Sequence, residues 1–325
     1  MTGMSSHVAP PAAGVRTPWE ALPVHVHDAV ARLLGSPVTS AVTQVGGFSP
    51  GTAARVRAAD GTRAFVKAVS AEVNPHSPEL HRTEARNAAA LPAGVPAPRL
   101  LGTHDDGTWV VLVFEEVAGR QPHVPWRDGE LVRVLRAVER LGRALTPSPV
   151  TAPSVADSLG EDFDGWRRLL DGEAGDVGGR LDPWTVEQLP ELAQLAAPWA
   201  ESATGDTLAH GDLRADNMLL TDDGEVVFVD WPHAALAAPW FDLLVMLPCV
   251  RAQGGPDPEE LFSRHPLAEG ADPSGVTATL AGLAAYFVEH SLLPPPPGLP
   301  TLRAFQRAQG DAALGWLRTR WETAP

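Results

Sequence analysis

The residues of this chain that could do chemistry together lie between positions 210 and 230. His210-Gly211-Asp212-Leu213-Arg214-Ala215-Asp216-Asn217 is followed by the apolar run Met218-Leu219-Leu220. Thirteen residues beyond Asn217, Asp230 closes the apolar stretch Val226-Val227-Phe228-Val229. Phosphoryl transfer asks little covalent chemistry of a protein. It needs a carboxylate to orient an attacking hydroxyl and take its proton, and oxygen ligands to hold magnesium against the phosphates. A His-x-Asp loop with an Asn five residues past the Asp, then a strand ending in Asp, carries such groups on neighbouring backbone. Taken alone, His210-Gly211-Asp212 also reads as an ordinary turn, because Gly and Asp favour turns. The spacing to Asn217 and Asp230 is what separates the two readings.

These groups need a scaffold. Residues 24–34 have apolar residues at helical spacing, and 41–45, 53–58, 63–69 and 109–114 read as strands. Asp60-Gly61 is a two-residue hairpin signal, residues 104–107 read as a turn, and residues 78–91 have helical composition. Residues 95–98 form a stiff extended link. After Gly119 the pattern becomes mostly helical, over 129–145, 163–170, 183–200, 241–247, 258–262, 276–290 and 302–321. A Gly- and Asp-rich loop at 171–179 and a short strand at 225–229 interrupt it. The expected fold class is α+β and bilobal. A small antiparallel β-sheet N-lobe with one helix is followed by a larger, mostly helical C-lobe, with a ligand cleft between them.

Three features of the front lobe bear on that cleft. Gly46-Gly47-Phe48-Ser49-Pro50-Gly51 joins two strands, and its glycines would let backbone N–H groups approach a phosphate. A plain hairpin loop is the competing reading. Lys67, in the apolar strand Ala64-Phe65-Val66-Lys67-Ala68-Val69, suits a contact with the α- and β-phosphates, and Glu84 on the following helix can pair with it. A solvent-facing strand Lys and a surface Glu would look the same in isolation.

His210-Gly211-Asp212 with Asn217, then Val229-Asp230-Trp231, resembles the motif of aminoglycoside phosphotransferases and the related antibiotic, choline and homoserine kinases. It is also similar to the catalytic loop of protein kinases, so the resemblance implies a bilobal protein-kinase-like fold. Gly211 stands where protein kinases carry Arg, and Trp231-Pro232 where they carry Phe-Gly. No Ala-Pro-Glu segment follows Asp230. These departures favour the small-molecule branch. The resemblance implies that Asp212 is the catalytic base, that Asn217 and Asp230 hold Mg2+, and that ATP or GTP is the co-substrate. It implies that His210 supports the loop and that Asp242 braces it from the next helix. Gly47, Phe48, Ser49 and Gly51 would cover the phosphates, with Lys67 and Glu84 beneath. Glu115 and Val117 would form the hinge to the base, and Leu219 its apolar floor. Arg214 and Asp216 fall at variable positions and carry no expected role. The expected organisation is a flexible tail over 1–20, a nucleotide-binding N-lobe over 21–116, and a catalytic and acceptor-binding C-lobe over 117–325.

Composition bounds the partners. The 325 residues carry a formal net charge of −15, which repels a nucleic-acid backbone and tolerates a cationic small molecule. Cys249 is the only cysteine, so no disulfide or Cys-based zinc site forms within the chain. Residues 1–16 lack the basic start and apolar run of a secretory signal, and no apolar run is long enough to span a bilayer. A cytoplasmic protein without nucleic-acid or membrane partners is expected, as a monomer or homodimer. The expected acceptor is a small-molecule hydroxyl compound: an aminoglycoside-like or other antibiotic, or a metabolite such as a sugar or an amino alcohol. A pseudokinase would be expected to lack one of Lys67, Glu84, Asp212, Asn217 or Asp230, and all are present. Acidic side chains for a cationic acceptor are Glu161, Asp162, Asp164, Asp171, Glu173, Glu259, Glu260 and Glu289. Trp166, Trp184 and Trp240 could stack on a ring or serve as core.

Overall fold

Hydrophobic alternation organises the front of the molecule. In the computed structural model, which describes residues 9–173 and 178–323, helix α1 (Val24–Leu34) leads into strands β1 (Val38–Thr43), β2 (Thr52–Ala58) and β3 (Arg63–Ser70). Helix α2 (Ser77–Ala90) and strands β4 (Leu100–Asp105) and β5 (Trp109–Glu115) complete this part. The sheet order is β1-β2-β3-β5-β4, antiparallel throughout. Successive side chains of a strand point to opposite faces. On β3, Ala64, Val66 and Ala68 pack with Val26 and Val30 of α1. Phe65 and Val69 pack on the other face with Leu112, Phe114 and Ala85 of α2. Lys67 shares the parity of Phe65 and Val69, so the alternation directs it toward α2, in register with Ala53 and Leu112.

The rest of the chain is mainly helical. After β6 (Gly119–Arg120) come α3 (Asp128–Ala144), α4 (Val155–Leu159), α5 (Gly165–Leu170), α6 (Pro183–Glu187), α7 (Leu189–Ala196) and α8 (Trp199–Ser202). Four short strands follow: β7 (Thr207–Ala209), β8 (Met218–Thr221), β9 (Val226–Phe228) and β10 (Ala235–Ala237). They form the ladders β6-β8-β9 and β10-β7. Helices α9 (Phe241–Ala252), α10 (Pro258–Ser263), α11 (Pro273–Leu292) and α12 (Leu302–Thr323) close the chain. From Phe241 to Val250 every residue of α9 is buried, so α9 is an axis around which the other helices pack. The fold is α+β, as expected, with an antiparallel N-terminal sheet and a helical C-terminal part. No helix among the described residues is long and apolar enough to cross a membrane.

Several boundaries depart from the sequence expectation for identifiable reasons. The helix expected over 183–200 is three helices, because Pro190 and Pro198 lack the N–H that would continue one. Strand β4 was hidden by Gly102 and His104, which break apolar alternation. As an edge strand it pairs only with β5, with a register shift between Leu100 and Gly102. The first strand ends at Thr43, two residues short of the expected end, and Val45 is exposed. Helix α11 begins at Pro273 because the Asp272 carboxylate caps it, accepting from the Gly275 N–H at 2.8 Å. Within the expected loop at 171–179, residues 174–177 lie outside the described residues.

Of residues 1–20, expected as a flexible tail, 1–8 lie outside the described residues, and from Ala9 onward the segment makes backbone contacts with the rest of the chain. Ala9 is buried and donates its N–H to the Ala252 carbonyl at 2.8 Å. Ala13 forms a parallel bridge with Gly47.

Candidate active site

The loop at 210–217 is braced from beneath. Strand β7 delivers His210, and Asp242, in the first turn of α9, accepts the N–H groups of His210 at 2.7 Å and Gly211 at 2.9 Å. Either N–H would cost about 1–3 kcal/mol if buried without an acceptor. Burial pushes the Asp242 carboxyl up to about 6, against the pull of those two N–H groups. His210 Nε2 lies 3.0 Å from the Val229 carbonyl and must donate to it. Its Nδ1 therefore accepts the Asp212 N–H at 3.3 Å. One tautomer satisfies both contacts. Burial lowers the imidazole to about 4, so it stays neutral and ties the loop to the end of β9.

Gly211 has φ of 80°, in the left-handed region. A Cβ there would meet the His233 carbonyl oxygen at 2.5 Å. Gly211→Ala therefore combines a strained backbone with a backbone clash. We expect a stability loss of about 1–3 kcal/mol, read as a lower denaturant midpoint, together with reduced turnover. An unchanged midpoint and turnover would show that the loop adapts freely.

Around Asp212 the contacts are dense. Asn217 Nδ2 donates to the Asp212 carbonyl at 2.8 Å and to its Oδ2 at 3.0 Å. The Arg214 guanidinium pairs with Asp212 Oδ1 and makes a two-point contact with Asp216, both distances 3.1 Å. It also lies 5.6 Å from the Phe48 ring and 5.9 Å from the Phe305 ring. Burial raises the Asp212 carboxyl, while Arg214 and His233 pull it down. Arg214, given no role from sequence, is thus the direct partner of Asp212.

The second cluster joins the two lobes. Lys67 Nζ lies 2.6 Å from Glu84 Oε1 and 2.8 Å from Asp230 Oδ1. Burial opposes the ammonium charge, and the two carboxylates overcome that and raise its pKa. Glu84 is pushed up, chiefly by burial and further by Asp230, because two carboxylates share one cation. Asp230 is held well below the usual carboxylate range: burial works against its charge, but Lys67 outweighs it. Asp230 has φ of 71°, which turns the chain sharply after β9. Asn87 of α2 fixes the far side of that turn, donating from Nδ2 to the Trp231 carbonyl at 2.7 Å.

A cavity of about 400 Å³ lies between the sheet and the helical part. Gly47, Phe48, Ser49, Lys67, Glu84, Glu115, Val117, Leu219, Asn217 and Asp230 line it, so most expected site residues meet there. Gly51 is not in the cavity lining, and a Cβ on it would strike Val69 Cγ1 at 2.4 Å and the Ala68 carbonyl oxygen at 2.5 Å. Its requirement is close packing on β3. Asp212 lies beside the cavity, joined to it through Asn217. Arg16 also enters the lining. A lone Arg in a Pro- and Ala-rich segment carries no sequence signal for such a place.

The expected acceptor carboxylates are mostly neutralised internally. Asp164 and Asp171 pair with Arg167, Glu259 with Arg320, Glu260 with Arg264, and Glu289 with Arg168. Among the described residues Asp162 has only His290 as an ion-pair partner, at 3.7 Å, and burial raises its carboxyl. The half-buried Tyr286 hydroxyl feels the charge of both Asp162 and Asp212. Trp166 and Trp240 are core residues, and Trp184 is covered by the Arg318 guanidinium at 4.2 Å.

Comparison with known proteins follows the same division. The sequence model described as "Phosphotransferase enzyme family" matches residues 44–286. No curated protein matches the sequence. Among solved structures, the chain is similar to a thermostable variant of aminoglycoside phosphotransferase APH(4)-Ia in ternary complex with AMP-PNP and hygromycin B. That match has 16% identity and a TM-score of 0.58, covering 91% of this chain and 99% of that one. An aminoglycoside-3'-phosphotransferase of type VIII matches with 23% identity and a TM-score of 0.53, covering 81% and 99%. Choline kinase LicA from Streptococcus pneumoniae matches with 13% identity and a TM-score of 0.56, covering 91% and 98%. At these identities the likeness is one of fold.

Proposed function

The chain belongs to the phosphotransferase enzyme family, and on that premise we propose that it moves the γ-phosphoryl group of ATP or GTP onto a hydroxyl of a small molecule. The observation that carries this reading is the Lys67 ammonium held between Glu84 and Asp230 at the cavity wall, with Asn217 linking the cavity to Asp212. In this reading residues 21–116 hold the nucleotide and residues 117–325 supply the reacting groups and the acceptor site. Backbone near Glu115 and Val117 takes the base, and Leu219 lies against it. Gly47, Phe48 and Ser49 cover the phosphates, and Lys67 binds them.

The residues present suit a hard cation. Asn217 uses its Nδ2 on Asp212, and among the described residues its Oδ1 has no hydrogen-bond partner. Asp230 uses Oδ1 on Lys67, and among the described residues its Oδ2 has none. Amide and carboxylate oxygens are magnesium donors, and a site with few protein ligands is normal when phosphates supply the others. Asn217 and Asp230 would hold Mg2+, whose chemistry when bound is neutralisation of phosphate charge.

Asp212 takes the proton from the acceptor hydroxyl as that oxygen bonds to the γ-phosphorus. The bond from phosphorus to the β–γ bridging oxygen breaks, and the nucleoside diphosphate leaves with those electrons. Asn217 and Arg214 hold the Asp212 carboxylate in one orientation. Burial raises its basicity, which suits proton acceptance. His210, Gly211 and Asp242 keep the loop in place.

The internal pairing of five acidic side chains favours an acceptor with few charges, a polyol or an amino alcohol, over a polycation. Among the described residues Asp162 has a histidine as its one ion-pair partner. A panel of neutral polyols, amino alcohols and aminoglycosides with ATP and with GTP tests this. The expected result is a mass gain of one phosphoryl group with equal nucleoside diphosphate release, greatest for acceptors with no ammonium or one. Preference for the most cationic members would reverse the acceptor reading. Binding of neither nucleotide would sink the whole reading.

A further inference from the structure

The described N-terminal segment is threaded between the lobes. Ala9 bonds the end of α9, Val15 donates its N–H to the Gly298 carbonyl at 2.8 Å, and Thr301 Oγ1 donates to the Ala13 carbonyl at 3.2 Å. On its other side Ala13 pairs with Gly47, and Thr52 Oγ1 donates to the Thr17 carbonyl at 2.8 Å. The fit is close: a Cβ on Gly14 would lie 2.8 Å from the Ser49 carbonyl oxygen and 3.2 Å from Leu299 Cδ2. The segment is therefore a strap that ties the glycine-rich turn to the chain just before α12.

At its end the strap places Arg16 in the cavity. Its Nε donates to the Gly46 carbonyl at 3.1 Å, and its Nη2 donates to the same oxygen. The other cations of the lining are already matched. Arg55 pairs with Glu116, Arg120 with Glu130, and Lys67 with Glu84 and Asp230. Among the described residues no carboxylate lies within 4.0 Å of Arg16. Burial alone works against its charge, and Asp230 and Asp216 favour it from a distance. A guanidinium has five N–H donors in a planar fork, and here one carbonyl oxygen is its hydrogen-bond partner. Such a group suits a phosphate, which takes two parallel N–H bonds.

We propose that Arg16 is a second phosphate-binding cation, delivered by the N-terminal strap beneath the glycine-rich turn, that binds the nucleotide phosphates together with Lys67. The assignment rests on the reading of the cavity as a nucleoside-triphosphate site. It gives the strap a function: nucleotide binding and the position of residues 9–17 are coupled through one side chain.

The test uses the full chain with Arg16→Ala and Arg16→Gln, titrated calorimetrically with adenosine, ADP and a non-hydrolysable ATP analogue. Gln keeps a donor for the Gly46 carbonyl and removes the charge. Both variants should lose affinity for the triphosphate by about ten- to a hundredfold, lose less for ADP, and bind adenosine as the wild type does. Equal losses for adenosine and triphosphate would make Arg16 a support of the turn and overturn the proposal, as would unchanged affinities. A wild-type protein that shows no preference for the triphosphate over adenosine would instead contradict the reading of the cavity. Loss of all binding in Arg16→Ala leaves Arg16→Gln as the deciding variant.

Discussion

Asp212→Ala should lower the transfer rate by roughly two to four orders of magnitude, the usual contribution of a positioned general base, while nucleotide affinity stays close to that of the wild type. The surroundings of Asp212 make this a clean experiment. Arg214 keeps its two-point contact with Asp216 when Asp212 is shortened. Asn217 Nδ2 keeps its bond to the backbone carbonyl of residue 212, which the substitution leaves in place. Asp212 is also outside the lining of the cavity. A single-turnover rate measured with saturating nucleotide checks the first part, and calorimetry the second. Wild-type turnover would remove Asp212 from the chemistry.

The second large effect is expected at Asp230. Its positive φ of 71° makes alanine a poor probe, because a left-handed conformation costs about 1–2 kcal/mol for most residues. Asn tolerates that region, so Asp230→Asn isolates the charge. Lys67 retains Glu84 at 2.6 Å, so the sheet side of the site should hold. Nucleotide affinity without magnesium should be unchanged or slightly higher, since a negative charge next to the phosphates is gone. The increase that magnesium brings should disappear, and turnover should fall by at least about a hundredfold. Titrations of nucleotide at several magnesium concentrations read both effects. A normal magnesium dependence in the variant would refute the ligand role.

How much could be read from sequence depends on how local each feature is. His210, Asp212 and Asn217 lie on one loop, and Asp230 follows the second of the two short strands after it, so spacing alone points to their proximity. Lys67 and Glu84 were legible only through chain order, since the strand and helix that carry them meet in three dimensions. Gly51 shows a limit of sequence reading, because a glycine needed for close packing on β3 looks like a glycine needed near phosphate. Arg214 was passed over because its pairing with Asp212 and Asp216, two residues away on either side, depends on how the loop folds, and its ring contacts, Phe48 and Phe305, come from distant parts of the chain. Arg16 was lost for a stronger reason. Its segment has the composition of a tail, and what holds it is backbone bonding to Ala252, Gly298 and Gly47, which no side-chain pattern announces. The edge strand β4 was missed on similar grounds, since what places it is a backbone ladder to β5.

The acceptor is where side-chain chemistry and charge count part company. A net charge of −15 invites a cationic substrate, yet Arg167, Arg168, Arg264 and Arg320 neutralise most of the carboxylates that could receive one. Net charge describes the field far from the protein. Recognition depends on which charges lack a partner at the site.

The central claim is that the group transferred is the γ-phosphoryl group and that Asp212 takes the proton that makes way for it. Nucleotide labelled at the γ-phosphate, incubated with an acceptor that the panel shows to react, tests this most directly in the wild type and in Asp212→Ala side by side. The account predicts labelled phosphate covalently on the acceptor in the wild type, one label per nucleoside diphosphate released, and almost none in the variant despite bound nucleotide. Label released only as free phosphate, or equal transfer by both proteins, would contradict it.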